Sequence, residues 1–170
     1  MTRHRKARAI TGLLRSAPLC AILGFGAMPS SAATLTRSIA INETPSAVWS
    51  AIGAFCAIKD WLPPVGACIE DGKSPPTRTL VTKDGKASFV ETQTARDEKA
   101  FSYSYGFLAS PLPVTHYTST IKVTAKGDGV SLVTWTGTYT PDPGKEKDAH
   151  DALSGVYDAG LAGIAARFKK

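Results

Sequence analysis

The chain has 170 residues, 43% of them hydrophobic, and carries 20 lysines and arginines against 14 aspartates and glutamates, a formal charge of +6. That charge points to nucleic acid or an anionic membrane, but five of the basic residues and none of the acidic ones lie in the first 33 positions. The other 137 residues hold 15 basic against 14 acidic side chains, a net of +1, so the case for a nucleic-acid partner lapses and the length suits one domain.

The N-terminus sets Arg3, Arg5, Lys6 and Arg8 before an apolar stretch from Ala9 to Met28, broken by Arg15, and closes on Ser30, Ser31, Ala32 and Ala33. This is the grammar of a secretory signal peptide over residues 1–33, cut after Ala33 or after Ala32. A retained membrane anchor is the competing reading, and the short apolar core argues against it. Leu19 rather than a small residue precedes Cys20, and no twin-arginine pair stands out. The expected product is soluble, exported to a bacterial periplasm, and without an anchor after cleavage. Cys20 leaves with the leader, so Cys56 and Cys68 remain as a pair in an oxidising compartment. A disulfide is the first reading of that pair and two buried thiols the other, to be decided by geometry. His116 and His150 lack ligand spacing, and no metal or other cofactor is expected.

Residues 34–42 alternate as a strand should. Thr44 can cap a helix that begins at Pro45 and continues through Ala47, Val48, Ala51, Ile52 and Phe55. A second helical turn, AIKDWL, is stopped by Pro63 and Pro64. Short alternating strands follow near 65–70, 77–82, 86–96, 99–108, 115–125 and 130–140, separated by turn signals at Asp84-Gly85, at Arg96 to Lys99, at SPLP 110–113 and at Gly127-Asp128-Gly129. Beyond Pro141 and Pro143 an amphipathic helix presents Ala149, Leu153, Val156, Tyr157, Gly160, Ile164 and Phe168 on one face. The order predicts an α+β fold in which a curved seven-stranded antiparallel sheet grips a long C-terminal helix, with two short helices after the first strand. A helix stripe as small as this one cannot fill such a sheet, which leads to the expectation of a cavity.

The strings PSAVWSAIGAF, DWLPPVGACIEDG, RTLVTKDG, FVETQTARDEKAFSYSY, SPLPVTHYTSTIKVT and LVTWTGTY, followed by the closing helix, resemble the polyketide cyclase/dehydrase and lipid-transport superfamily, the START-like or birch-allergen helix-grip fold. Locally they are similar to plant abscisic-acid receptors and lachrymatory-factor synthase. That resemblance implies that Arg78 and Glu91 face the cavity, and in the synthase such a pair is catalytic. The long plant gate is replaced here by the short hairpin KDGK, which puts a gated mechanism in doubt. Strand periodicity agrees on orientation, since Arg78, Leu80 and Thr82 share one face, as do Phe89, Glu91 and Gln93.

The same alternation aligns Phe101, Tyr103, Tyr105 and Phe107, and opposite them Tyr117 and Ser119. The candidate ligand-binding set is Trp61 at the mouth, Arg78, Phe89, Glu91, Tyr103, Tyr105, Tyr117, Ser119 and Tyr157. The plainer alternatives are core packing for the aromatic row and an exposed ion pair for Arg78 and Glu91. Trp49 and Trp135 read as structural, His116 as a surface residue and His150 as a solvated helix residue. Three functions follow: an exported carrier of a small hydrophobic ligand, a cofactor-independent cyclase, dehydratase or isomerase, and, as the superfamily resemblance implies, an accessory protein to a periplasmic redox partner, as in methanol oxidation. In the enzyme, Glu91 would move a proton while Arg78 or a tyrosine stabilises an oxyanion.

Overall fold

The computed structural model describes residues 31–169, so all but the last three residues of the expected leader lie outside the described residues. Strand β1 (Ala33–Ile41) leads to α1 (Pro45–Ile52), a 3-10 turn at Phe55–Ala57 and α2 (Ile58–Trp61). The strands β2 (Val65–Glu70), β3 (Thr77–Thr82), β4 (Ser88–Asp97), β5 (Ser102–Ala109), β6 (Val114–Gly127) and β7 (Val130–Pro141) follow, and α3 (Glu146–Arg167) ends the fold. One seven-stranded sheet runs β1-β7-β6-β5-β4-β3-β2, every pairing antiparallel. This is the helix-grip architecture that the order of elements predicts.

Local chemistry accounts for the boundaries. Thr44 accepts a hydrogen bond from the Ala47 amide at 3.3 Å, and Pro45 opens α1, a capped start as the residues suggest. Residues 99–101, expected in a strand, form the β4–β5 turn instead. Asp97 accepts from the amides of Lys99 and Ala100, both at 2.9 Å, and Phe101 takes a positive φ of 47°. Those bonds compete with the ladder and hold the chain back from β5 until Ser102.

Helix α3 buries Ala149, Leu153, Tyr157, Gly160, Leu161 and Ile164. Leu161 adds to the predicted stripe, while Val156 and Phe168 are only half-buried. A Cβ on Gly160 would stand 2.6 Å from Cζ3 of Trp135, and one on Gly163 only 1.9 Å from the Trp61 carbonyl oxygen. The glycines therefore let α3 descend onto α2 and two indoles. Burial of Leu153, Leu161 and Ile164 contributes about 1.5–3 kcal/mol each.

Cys56 and Cys68 form a disulfide with their Cα atoms 5.6 Å apart. It ties the 3-10 turn to β2, an edge strand of the sheet. Among the described residues no helix is long and apolar enough to cross a membrane.

Candidate functional site

Between the sheet and α3 lies a cavity of about 110 Å³. Its floor is the apolar set Ile58, Leu62, Leu80 and Leu153, and the half-buried Val81, Phe89, Phe107, Leu112 and Val156 form its side toward solvent. Glu91, Tyr105, Tyr117 and Trp135 line it too, but the surface the cavity presents is almost wholly apolar.

Of the predicted residues, Phe89, Glu91, Tyr105 and Tyr117 line this space. Arg78, Tyr103, Ser119 and Tyr157 are buried one layer behind it. Trp61 is not at a mouth: it is 2% exposed and packs edge-on against Trp135 at 5.5 Å, because the glycines of α3 allow the helix to cover it. Trp135 is a core residue, as the sequence predicts, and in addition it lines the cavity, with its Nε1 donating to Tyr105 and Ser119. The inward alternation of Val133, Trp135 and Tyr139 on β7 held that signal. Trp49 stays structural: it is a core residue whose Nε1 donates to Glu98 at 2.7 Å. His116 and His150 are exposed.

Arg78 and Glu91 are register partners on β3 and β4, and they are 0% and 4% exposed. The exposed ion pair is thereby excluded. Arg78 Nε donates to Glu91 Oε2 at 2.6 Å and Nη1 donates to the Phe55 carbonyl, while the guanidinium lies over the rings of Phe55 at 4.0 Å and Tyr105 at 5.0 Å. Nη2 has no partner. Burial raises the Glu91 carboxyl above its ordinary value, and the charge and hydrogen bond of Arg78 pull against that. Burial opposes the Arg78 charge too, but Tyr103, Glu91 and Tyr105 around it hold the guanidinium above its usual value.

A second polar group runs along the cavity from Tyr105. Tyr105 Oη is 3.4 Å from Tyr117 Oη, Tyr117 Oη is 2.8 Å from Tyr157 Oη, and Tyr157 Oη is 2.9 Å from Ser119 Oγ. Ser119 donates to the Thr136 carbonyl at 3.0 Å. The Tyr157 ring stacks on Trp135 at 4.2 Å, and its hydroxyl fits because residue 137 is glycine, where a Cβ would stand 2.2 Å from that oxygen.

All five tyrosines of the sequence, Tyr103, Tyr105, Tyr117, Tyr139 and Tyr157, have pKa values raised chiefly by burial, Tyr157 to about 12. Each folded value lies above the unfolded one, so the neutral phenols stabilise the fold fully below about pH 10, and that stabilisation is lost as pH rises through the folded values. Ultraviolet titration is expected to show little tyrosinate at about pH 10, where free tyrosine is half ionised. A half-complete transition there, with the protein still folded, would contradict the burial of these hydroxyls.

A sheet closed on a C-terminal helix around an apolar, partly aromatic cavity defines a ligand-binding class of fold. The chain belongs to the polyketide cyclase/dehydrase and lipid transport family, whose model matches residues 32–169. Among solved structures it is similar to XoxI from Bacillus cereus, with 33% identity and a TM-score of 0.75 over 80% of this chain and 95% of that one. An uncharacterised protein from Bacillus thuringiensis is 32% identical at the same TM-score, over 80% and 98% of the two chains. Truncated norcoclaurine synthase from Thalictrum flavum, 14% identical with a TM-score of 0.68 over 83% and 96%, shares the fold. No curated protein matches the sequence.

Proposed function

We propose that this protein is an exported binding or carrier protein for a small hydrophobic or amphipathic molecule held between the sheet and α3. The observation that carries the reading is the cavity itself, apolar on most walls, with Glu91, Tyr105 and Tyr117 gathered among them. Arg78 is committed to Glu91, to the Phe55 carbonyl and to the face of Phe55, and it does not reach the cavity wall. That weighs against Arg78 as the oxyanion stabiliser of an enzyme, which would need a donor aimed at the reacting atoms. An accessory protein acting through its surface would call for an exposed apolar patch. Among the described residues the large apolar side chains that stand exposed are Ile69 and Leu108, on different strands.

The disulfide supports export to an oxidising compartment such as the periplasm. Removal of the leader after Ala32 would leave the first ladder pair, Ala33 with Tyr139, intact. Native mass spectrometry of the protein taken from its own export compartment is expected to show a bound small apolar mass. Repeatedly ligand-free spectra would overturn the carrier reading.

A further inference from the structure

The polar side chains around the cavity are committed to the protein. Five of the lining residues carry them: Thr82, Glu91, Tyr105, Tyr117 and Trp135. Trp135 Nε1 donates to Ser119 at 2.9 Å and to Tyr105 at 3.1 Å. The Tyr117 hydroxyl meets that of Tyr157 at 2.8 Å and that of Tyr105 at 3.4 Å. Glu91 Oε2 accepts from Arg78 Nε at 2.6 Å. Thr82 Oγ1 donates to Asp84 at 2.6 Å and accepts from the Ala87 amide at 3.1 Å. What these residues turn to the cavity is carbon, since the surface it presents is almost wholly apolar.

The side toward solvent continues the pattern, because Val81, Phe89, Phe107, Leu112 and Val156 are all apolar. Within these walls a hydroxyl or a carboxylate on an occupant gives up its hydration and gains no partner, which is costly. An apolar group loses nothing of the kind and gains dispersion contacts with every wall. Water competes poorly for the same space, since it needs about two to four polar partners.

We infer that the cavity is a hydrocarbon site: it takes an apolar group of about one ring, selects it by size and shape, and discriminates against the same ring bearing a neutral hydroxyl. The volume of about 110 Å³ sets the size, on the scale of the ~150 Å³ engineered cavity that holds benzene. Leu80 from β3 and Leu153 from α3, 3% and 1% exposed, close the floor and so limit the length of the occupant. The ion pair and the linked hydroxyls then act on stability and not on recognition. This inference rests on the carrier reading and adds the class of group bound and the residues that limit its size.

The test is a calorimetric titration of the folded protein with toluene, phenol and naphthalene. Toluene and phenol have nearly the same shape and differ by a methyl against a hydroxyl. Toluene is expected to bind at least about tenfold more tightly than phenol, the scale of burying a hydroxyl without a hydrogen bond, and more tightly than naphthalene, which has a second ring. Leu153→Ala, which opens the floor, is expected to reverse the order of toluene and naphthalene. The comparison of probes on the unaltered protein decides the inference even where that variant does not fold. Phenol binding as tightly as toluene, naphthalene binding the unaltered protein better than toluene, or a folded Leu153→Ala protein with the original order overturns it. If none of the probes binds but a native ligand is found by mass spectrometry, the hydrocarbon assignment falls and the carrier reading survives. If neither a probe nor a native mass is found, both fall.

Discussion

Truncation of the buried carboxylate in Glu91→Ala is expected to cost the fold about 3–5 kcal/mol, read as a shift of the urea unfolding midpoint. Most of that cost lies in the residue left behind. Arg78 is 0% exposed and has Glu91 as its ion-pair partner, so loss of the carboxylate strands a guanidinium among Phe55, Tyr103 and Tyr105. The double replacement Arg78→Met with Glu91→Leu is expected to recover most of the stability, because no charge is then taken out of water or left buried without its partner. A loss below about 1 kcal/mol for Glu91→Ala would be the result for an exposed pair, and it would place Arg78 in contact with solvent.

Replacement of both cysteines by serine is expected to destabilise the protein by about 3 kcal/mol, the scale for closing a loop of this length, with Cys56 and Cys68 separated by 12 positions. The effect should also reach the ion pair. Phe55 precedes Cys56 in the 3-10 turn and supplies the carbonyl that accepts from Arg78 Nη1. Loosening of that turn removes one of the two hydrogen bonds that hold the guanidinium. In a double-mutant cycle the disulfide and Glu91→Ala should therefore be non-additive by more than about 0.5 kcal/mol. Additive costs would mean that the disulfide acts on the unfolded chain alone.

Much of the arrangement is legible in the residues. Alternation places Arg78 with Leu80 and Glu91 with Gln93, and in the structure all four are buried on the side where the strands pack. The same rule aligns Tyr103, Tyr105, Tyr117 and Ser119, and all are buried. Alternation reports a face and says nothing of depth. Phe89, Glu91, Tyr105 and Tyr117 reach the cavity, whereas Arg78, Tyr103, Ser119 and Tyr157 stand behind it, because depth depends on how side chains from several strands share the space. The two tryptophans show the same limit. Trp61 lies under α3 and Trp135 forms a cavity wall, an outcome set by how closely a glycine-bearing helix approaches them.

The sequence by itself determines the order of elements, the capped start of α1 at Thr44 and Pro45, the hairpin punctuation and the inward faces of the strands, since each rests on near neighbours and a fixed backbone period. The tertiary structure alone decides whether Cys56 meets Cys68, whether the Arg78 and Glu91 pair is dry, and whether the hydroxyls of Tyr105, Tyr117, Tyr157 and Ser119 meet. Those outcomes depend on distances and solvent access among residues up to 40 positions apart. The 3-10 turn packing on β2 and β3 sets the disulfide and the ion pair, and α3 brings Tyr157 to the hydroxyls of the sheet.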